Sequence, residues 1–502
     1  MQKATVNLLF IVAFAVSGCT ASALPTQPIV ESQATAFSTL TPSPLPTATE
    51  PFATTTLTPE PGLKTNGPYF AYFREVNGIS QFVMMDADGG GRKAISLPQG
   101  ITDSLPDKNF GFDMKFISPD GKWLAFYTGS AGDSGFGSDI GNGPFDLTLN
   151  LLDLDTGGTQ VIAPLLSSDY PNNFVEAAKK INSSNITSAD LQYAFLVGIT
   201  RAISWSPTGR YLAFAGQMDG LSSDLYVYDM EGMTIRRLTS GDEELQWIDW
   251  SSDEKWILHG SVSVYGAGMQ YSIYAAAADE SSIRQFGYGF GTDWLNSHQF
   301  LEYENQNVFG DYNLRLVDLN TGKISEIWDG SFHDYAVSPN GDWLILFAFT
   351  SAVPPAEEKP NFIPGLQLIN LKSLKIIQTP SPLLDPPDTF LRTEDGEIVA
   401  LPAIAKQNGE IIFASPDTKY WAVANDQDIR IYSSDITLIR NVPIPSQDTK
   451  LTDMQWSPNS SGLFLIYGAN IYSVNVPSGD INLIETNLLD NYGLTYKWVG
   501  GQ

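Results

Sequence analysis

Short apolar runs follow polar turns at regular intervals along this 502-residue chain. In one clear unit, a Ser-Pro-x-Gly turn at 206–209 precedes an apolar run at 211–214. Proline and glycine in this order favour a tight turn, and a short apolar run bounded by polar residues is typical of a buried strand. Related units stand at 118–126, 251–258, 338–344, 415–422 and 457–464.

A second pattern lies farther along each unit. Apolar and polar residues alternate at 224–229 and 313–318, and each stretch ends in aspartate before another turn. A short strand-like stretch such as 235–239 follows. Alternation with a period of two predicts a strand with one buried face, so each unit predicts four strands, which is the content of one propeller blade.

The positions just before the turns recur at a nearly constant spacing. Positions 205, 250, 294 and 337 lie 45, 44 and 43 residues apart, and positions 414, 456 and 498 lie 42 residues apart. This spacing is typical of propeller blades. Two longer intervals, from 117 to 205 and from 337 to 414, each predict one blade that carries an insertion.

The two insertions differ in character. The first, at about 167–198, has helix-forming composition and a capping-box pattern at 187–190, which predicts two short helices. The second, at about 380–407, is rich in proline at its start and then predicts a small hairpin that turns at Asp395 and Gly396.

The two ends of the chain each hold part of one unit. Residues 68–97 predict three strands without a first one, and 494–499 predict a first strand with nothing after it. Pairing of the C-terminal strand with the N-terminal strands would remove an open sheet edge. The sequence therefore predicts an all-β fold, a single closed β-propeller over 67–502 with eight blades. Seven blades is the alternative, because the unit at 290–331 lacks the Ser-Pro turn.

The fullest repeat, Ser-Pro-Asp-Gly-Lys-Trp-Leu-Ala-Phe at 118–126, resembles the repeats of TolB-like and WD-repeat-like propellers. It is also similar to the propeller domains of prolyl oligopeptidase and dipeptidyl peptidase relatives. The resemblance covers about 67–502 and implies a propeller fold. It implies no peptidase activity, because those relatives carry their catalysis in an α/β-hydrolase domain, which we do not expect here.

Residues 1–19 predict an export signal with a lipid-attachment site. Lys3 precedes an apolar stretch at 6–16 that is too short for a stable membrane span, and Cys19 ends the segment. The sequence at 16–19 resembles the lipobox of bacterial lipoproteins, which implies cleavage before Cys19 and acylation of its thiol. An ordinary secretory signal with a coincidental cysteine is the alternative. We expect an extracytoplasmic protein, lipid-anchored to the cell membrane or envelope.

Residues 20–66 are rich in threonine, proline, serine and alanine. Such a segment buries too little apolar surface to offset the entropy of ordering it, so we expect a disordered tether that holds the propeller away from the membrane. Cys19 is the only cysteine in the chain, and disulfides therefore cannot stabilise the fold.

The charge of the chain argues against nucleic-acid binding. Fifty-six acidic and 28 basic residues give a formal net charge of −28 at pH 7. An acidic surface keeps an exported protein soluble, and a cationic partner or a divalent metal is the alternative explanation. The sequence has no basic patch, so we expect no contact with nucleic acid.

Metal ligands are sparse in the sequence. The three histidines fall in separate predicted blades without metal-ligand spacing, so we expect no catalytic zinc and no resident cofactor. Weak candidates for calcium ligands lie in a stretch rich in glycine, although aspartate and glycine are also ordinary turn residues. These aspartates are Asp133, Asp139 and Asp146.

Two hydrolase motifs are incomplete in this sequence. Gly-Asp-Ser-Gly at 132–135 resembles the nucleophile loop of chymotrypsin-like proteases, but no histidine stands in the matching partner motif. The blade turns differ in register from the Asp-box of sialidases. We therefore assign no catalytic residue.

These observations favour a membrane-anchored, extracytoplasmic scaffold that binds a protein or a small ligand without catalysis. We expect a monomer, and the sequence assigns no ligand-binding residue. A propeller enzyme of glycosidase or lyase type, with its site over the central channel, is one alternative. A structural envelope protein that acts through its tether is another.

Overall fold

The computed structural model describes residues 31–32, 62–64, 66–97, 114–129, 145–180, 188–263, 270–287, 291–305, 311–338, 341–348, 365–378, 391–392, 398–399, 404–405, 411–424, 428–435, 437–444, 451–489 and 495–500. The chain divides into two compact units. The first comprises 1–43, 130–147 and 164–330, and the second comprises 44–129, 148–163 and 331–502.

Strands make up most of the described chain. Its first strands are β1 (Glu31–Ser32), β2 (Tyr69–Val76), β3 (Ile79–Asp86), β4 (Arg92–Ser96), β5 (Trp123–Thr128), β6 (Thr148–Asp153), β7 (Thr159–Pro164), β8 (Ile203–Trp205), β9 (Tyr211–Gly216), β10 (Asp224–Asp229) and β11 (Thr234–Arg237). A 3-10 turn at Met114–Phe116 precedes β5, and the two helices α1 (Tyr170–Lys179) and α2 (Ser188–Arg201) precede β8.

The middle strands are β12 (Glu244–Trp250), β13 (Trp256–Ser263), β14 (Gln270–Ala277), β15 (Ile283–Gly287), β16 (Gly291–Trp294), β17 (Gln299–Asn305), β18 (Asp311–Asp318), β19 (Lys323–Val337), β20 (Trp343–Ala348), β21 (Gly365–Asn370) and β22 (Ile376–Gln378). The last strands are β23 (Leu391–Arg392), β24 (Ile398–Val399), β25 (Ile404–Ala405), β26 (Ile411–Ala414), β27 (Tyr420–Ala424), β28 (Asp428–Ser433), β29 (Leu438–Pro443), β30 (Leu451–Trp456), β31 (Gly462–Tyr467), β32 (Asn470–Asn475), β33 (Ile481–Glu485) and β34 (Tyr496–Val499).

The strands pair in chain order into antiparallel sheets. Sheet 1 has the order β34-β2-β3-β4, sheet 2 is β5-β6-β7, sheet 3 is β11-β10-β9-β8, and sheet 4 is β1-β15-β14-β13-β12. Sheet 5 runs from β16 to β22 through the long strand β19, sheet 6 from β25 to β29, and sheet 7 from β30 to β33. The fold is therefore nearly all-β and built from repeated antiparallel sheets of about four strands, as the sequence pattern predicts.

In the first unit, neighbouring sheets share apolar cores. Ala213 and Val227 of sheet 3 belong to one buried cluster with Ile248 and Ile257 of sheet 4. A second cluster joins sheet 4 to the first strands of sheet 5 and includes Phe300. Burial of this apolar surface is the main favourable term in holding one sheet against the next.

The second unit repeats this arrangement. One buried cluster joins sheets 6 and 7, and another joins sheet 7 to sheet 1. In the latter, the ring of Phe70 stacks on that of Phe464 with centroids 4.7 Å apart. The C-terminal strand pairs with the N-terminal one, with Tyr496 opposite Tyr72 and Val499 opposite Tyr69. The sequence predicts this pairing from the two incomplete units at the chain ends.

The repeated turn owes its serine to a specific hydrogen bond. The buried hydroxyl of Ser206 accepts from the backbone N–H of Tyr211 over 3.0 Å, and Gly209 adopts a φ of +75°, which glycine tolerates without strain. The same bond closes the turns at 118–123, 251–256, 338–343, 415–420 and 457–462.

The unit at 290–331 lacks the Ser-Pro turn but still forms its strands. Asn296 takes over the turn, since its side-chain oxygen accepts from the backbone N–H groups of His298 and Gln299 over 3.0 and 2.9 Å. An asparagine side chain can cap a turn in this way. Strands β16, β17 and β18 then pair in order with β19.

The described residues include 62–64, just before the expected boundary at residue 67. The backbone N–H of Lys64 donates to Asp86 Oδ2, at the end of β3, over 2.9 Å. Two residues of the predicted tether, Glu31–Ser32, pair with β15. The predicted export signal at 1–19 lies outside the described residues, as does the rest of 20–61.

Candidate functional site

The sheets have two kinds of edge. Turns between first and second strands and between third and fourth strands are short, as at 206–210 and 230–233, and we call this end of each sheet the short-turn edge. Connections at the opposite end vary widely in length, from 77–78 through 217–223 to 165–202, and we call it the long-loop edge. Short turns of uniform length connect paired strands. Binding residues concentrate instead on variable loops that a rigid scaffold holds in place.

The longest of these connections is the helical insertion, 165–202, whose described residues are 165–180 and 188–202. Its first part is held by backbone hydrogen bonds to the long-loop edge of sheet 3. Ser167 N donates to Gln217 O over 2.7 Å, and Gln217 N donates to Leu165 O over 2.8 Å. The side chain of Asn173 on α1 donates to Gly220 O over 3.1 Å.

Helix α2 packs directly on the start of β12 in sheet 4. Gly198 is required there, because a Cβ atom at this position would overlap the carbonyl oxygen of Leu245. The amide of Gln246 donates to Ala194 O over 2.8 Å. The helical insertion therefore covers the long-loop edge of sheets 3 and 4, and the structure places helices where the sequence predicts them.

An ionic cluster lies at the start of β10. Arg237 bridges two aspartates, with Nη2 2.6 Å from Asp224 Oδ2 and Nη1 3.0 Å from Asp219 Oδ1. The hydroxyl of Tyr226 also donates to Asp219. Burial raises the pKa of Asp224 to about 7, against the opposing effects of Arg237 and of the hydroxyl of Thr239.

Glu244, at the start of β12, is buried without a cationic partner among the described residues. Its Oε2 accepts from the backbone N–H and the hydroxyl of Ser223 over 2.8 and 2.7 Å. Burial raises the pKa of Glu244 to about 7, and the charge of Asp224 raises it further, while the two bonds from Ser223 oppose the shift. Tyr170 of α1 lies close to Glu244, whose charge adds to the effect of burial in raising the pKa of that tyrosine.

The neighbouring residue, Glu243, turns toward sheet 4 instead. Its Oε1 accepts from the hydroxyl of Ser272 at 3.5 Å, and burial raises its pKa. His259 on β13 is buried and stacks on Tyr274 with ring centroids 5.1 Å apart. Burial lowers the pKa of His259 to about 3, so it is neutral at physiological pH and suited to a packing role.

In the second unit, the long-loop edge holds a buried ion pair between sheets 1 and 7. Arg74 Nη1 lies 3.0 Å from Glu485 Oε2, the hydroxyl of Tyr72 donates to the same oxygen over 3.0 Å, and Arg74 Nε donates to Gln81 over 2.9 Å. Burial opposes ionisation of Glu485, but hydrogen bonds from Arg74 and two backbone N–H groups hold its pKa below the usual range.

Of the aspartates and histidines singled out in the sequence, the structure describes Asp146 and the three histidines. Asp146 is exposed just before β6, whereas Asp133 and Asp139 lie outside the described residues, as does Cys19. His298 lies in a short turn of sheet 5, His259 on β13 and position 333 on β19.

Within the described part of the chain, no group of three or more histidine, cysteine, aspartate or glutamate side chains could hold a metal ion. No helix within the same residues is both long enough and apolar enough to cross a membrane.

Sequence reasoning missed the carboxylates of Glu243 and Glu244 near the start of β12. Glu243 and Glu244 stand in a stretch of charged residues, Asp242 to Glu244, that is typical of a solvated loop. The sequence does contain a signal for Glu244. Polar and apolar residues begin to alternate at this position, which places Glu244 on the strand and not in the preceding loop.

Comparison with known proteins assigns no family to this chain. No family model matches the chain. An uncharacterised protein of Agrobacterium fabrum is 27% identical over 155 residues, which is 28% of this chain and 51% of that protein. The chain thus spans about half the length of this curated relative.

Solved structures with some likeness include propellers of several kinds. A eukaryotic initiation factor structure is 12% identical, covers 88% of this chain and 93% of its own, and has a TM-score of 0.45. The dihydro-heme d1 dehydrogenase NirN is 10% identical, with 86% and 76% covered and a TM-score of 0.45. A structure described as TolB from Agrobacterium tumefaciens is 15% identical, with 62% and 88% covered and a TM-score of 0.29.

Proposed function

We propose that this protein is a non-catalytic binding scaffold whose partner or small ligand is held at the long-loop edge of its sheets. The observation that carries the proposal is the contrast between the two edges. Short, serine-capped turns repeat at one edge, while the other carries every long connection, including the helical insertion. A rigid repeated framework with variable loops at one edge is an arrangement suited to recognition.

We further propose that the sheets form one closed propeller of eight blades. Sheet 5 would supply two blades that share β19, and sheet 1 would be completed by the C-terminal strand β34. Pairing of β34 with β2 and the shared cores between successive sheets support this arrangement. Seven blades remains the alternative count, and the ring would act as a monomer.

Attachment to a membrane through Cys19 is part of the proposal and has its own test. The support is the single cysteine at the end of an apolar leader. Cells that express the full chain are fed an alkyne-labelled fatty acid, and the label is expected on the wild-type protein and absent from Cys19→Ser. Equal labelling of both proteins would contradict lipid attachment at this position. Absence of label from both would also contradict it and would indicate a secreted protein without a lipid anchor.

Partner capture from cell-envelope extracts tests the binding function. Val175 on α1 is 46% exposed and Val161 on β7 is 47% exposed. The two valines therefore match in residue type and exposure, but only Val175 lies on the helical insertion. We expect the mature protein to recover a specific partner, Val175→Asp to lose it, and Val161→Asp to keep it. Equal loss in both variants would contradict recognition at the long-loop edge.

The alternatives give different results in the same preparation. A structural envelope protein would recover no specific partner in the wild-type form. An enzyme of glycosidase or lyase type would turn over substrates above background in ester, peptide, glycoside and uronate panels, whereas we expect no turnover.

A further inference from the structure

We propose that the outer edge of sheet 4 is a docking site for the predicted tether, which adds Glu31–Ser32 to that edge as a further strand. The tether then acts as two linkers on either side of β1 and not as one free chain from 20 to 66. The docking itself needs no lipid, and only its consequence at a membrane rests on the proposed attachment through Cys19.

The pairing of β1 with β15 is the observation that carries the proposal. Glu31 lies opposite Arg284 and Ser32 opposite Ile283 in an antiparallel arrangement. Both strands belong to the first compact unit. Addition of an extended segment to an open sheet edge relies on main-chain hydrogen bonds, so it does not require a specific side chain from the tether.

Sheet 4 differs in this respect from the other sheets. An outer strand presents unpaired backbone groups, which proteins commonly protect with charged residues or proline. β7 and β29 end at Pro164 and Pro443, and β4 and β11 each contain two adjacent basic residues. Within the described part of the chain, the outer strands that end their sheets are β4, β7, β11, β22, β29 and β33, whereas β15 lies between β14 and β1.

The outer strand β15 lacks this protection. It contains no proline, and Arg284 is its one charged residue. Arg284 Nη1 donates to Leu319 O over 2.8 Å, and its guanidinium carbon lies 5.2 Å from the centroid of the Trp256 ring. Because this charge is engaged by neighbouring groups of the protein, the backbone edge of β15 is left open to a further strand.

The composition of the tether favours a strand at this place. Proline interrupts a strand ladder because it has no N–H to donate. Ile29 and Val30, which are β-branched and favour strands, directly precede Glu31. Prolines stand at 25, 28, 42, 44, 46, 51, 59 and 61, so the longest proline-free stretch of the tether is 29–41, which contains β1.

Docking changes what the tether does at a membrane. With a lipid on Cys19, residues 20–30 alone separate the anchor from sheet 4, and their full extension is about 40 Å. A tether that is free as far as residue 66 would extend to roughly 160 Å. Docking therefore holds the outer edge of sheet 4 close to the membrane surface.

Disulfide trapping tests the docking in solution, without a membrane. The chain from residue 19 onward is prepared with Cys19→Ser, so that it contains no native thiol. Ser32→Cys and Ile283→Cys then place two thiols at directly opposite positions, where Cβ atoms lie roughly 5 Å apart. We expect an intramolecular disulfide under mild oxidation, identified by mass spectrometry of the linked peptides.

The matched control moves one cysteine to the outer strand of sheet 3. Ile235 on β11 resembles Ile283, because both are half-buried and each directly precedes an arginine. Two cysteines on one chain also meet at random, and Ser32→Cys with Ile235→Cys measures that background. We expect the disulfide between positions 32 and 283 to form at least about tenfold faster than the one in this control.

Hydrogen exchange of the Cys19→Ser chain without added cysteines gives a second measurement. Of two adjacent facing pairs in an antiparallel ladder, one exchanges both backbone hydrogen bonds, so one amide of Glu31–Ser32 should be protected. We expect its exchange to be slowed by at least about tenfold. Glu31→Pro with Ser32→Pro removes both donors and should speed exchange of one amide in β15, whereas Thr47→Pro with Ala48→Pro should leave β15 unchanged.

Equal rates of trapping in the two cysteine pairs would overturn the docking. So would a disulfide-linked dimer as the main product, because the strand would then lie on a second copy of the chain. If the cysteine variants fail to fold, exchange of both amides of Glu31–Ser32 at the intrinsic rate would overturn it instead. Docking without fatty-acid label on Cys19 would refute the anchor and leave the docking in place.

Discussion

At the scale of single residues, the repeated serine stabilises its turn through a hydrogen bond that the residue types around it do not predict. Sequence patterns identify the turn through Pro207 and Gly209, because these residues restrict or extend φ. The role of Ser206 depends on a buried N–H five residues later and becomes apparent only when Tyr211 is seen to point its backbone donor inward.

Replacing Ser206 by alanine should destabilise the protein by about 1–3 kcal/mol, because the N–H of Tyr211 loses its acceptor in a buried setting. The measurement is urea unfolding of the mature protein, followed by tryptophan fluorescence. Ser240→Ala, at an exposed position in a long-loop connection, is the control and should change stability by less than about 0.5 kcal/mol. Equal effects of the two substitutions would show that the hydroxyl of Ser206 contributes nothing specific.

Buried charges are the residues that sequence reasoning could not place. Glu244 ends a run of acidic residues and Arg74 follows an apolar run, and neither pattern identifies the groups that contact these side chains. The partner of Arg74 is Glu485, 411 positions away, so the pair exists only once the first and last sheets are packed together. No periodicity in one sequence reports such a contact.

At the scale of elements, most strands and short turns followed the sequence pattern closely, and β19 departs from it. The repeats predict a boundary between units near 331, yet Lys323–Val337 is a single strand. Gly330 adopts a φ of +150°, which residues with a Cβ atom rarely adopt, so the glycine allows the strand to continue through this position without strain. Tertiary pairing on both sides of this strand outweighs its local preference.

The contact between sheets 1 and 7 gives a prediction at this scale. Arg74→Met should destabilise the protein by about 3–5 kcal/mol, because Glu485 would keep its charge in a buried setting after losing its main partner. The double variant Arg74→Met, Glu485→Gln should recover much of this loss, since no unpaired charge then remains. Thermal unfolding of both variants provides the measurement.

An exposed ion pair serves as the control for this pair. Arg210 Nη2 lies 3.4 Å from Asp229 Oδ2 at the protein surface, so Arg210→Met should leave the unfolding midpoint unchanged. If Arg74→Met and Arg210→Met behaved alike, the buried pair would not hold sheets 1 and 7 together.

At the scale of the whole molecule, the account depends on how the chain ends meet. β34 completes sheet 1 through pairing with Tyr69–Tyr72, and its Tyr496 donates to Asp453 of sheet 7 over 3.0 Å. The sequence predicts the strand from the period of its repeats. It could not predict the contact with Asp453, whose carboxyl is buried beside β34 and has its pKa raised by that burial.

Removal of residues 494–502 tests this central claim most directly, with removal of 501–502 alone as the matched control. We predict that the longer truncation lowers the thermal midpoint of the mature protein by at least about 10 °C or makes it aggregate, because sheet 1 loses a strand and exposes an edge. The control should melt as the full chain does. A truncated protein that stays soluble and melts with the parent would contradict closure by the C-terminal strand.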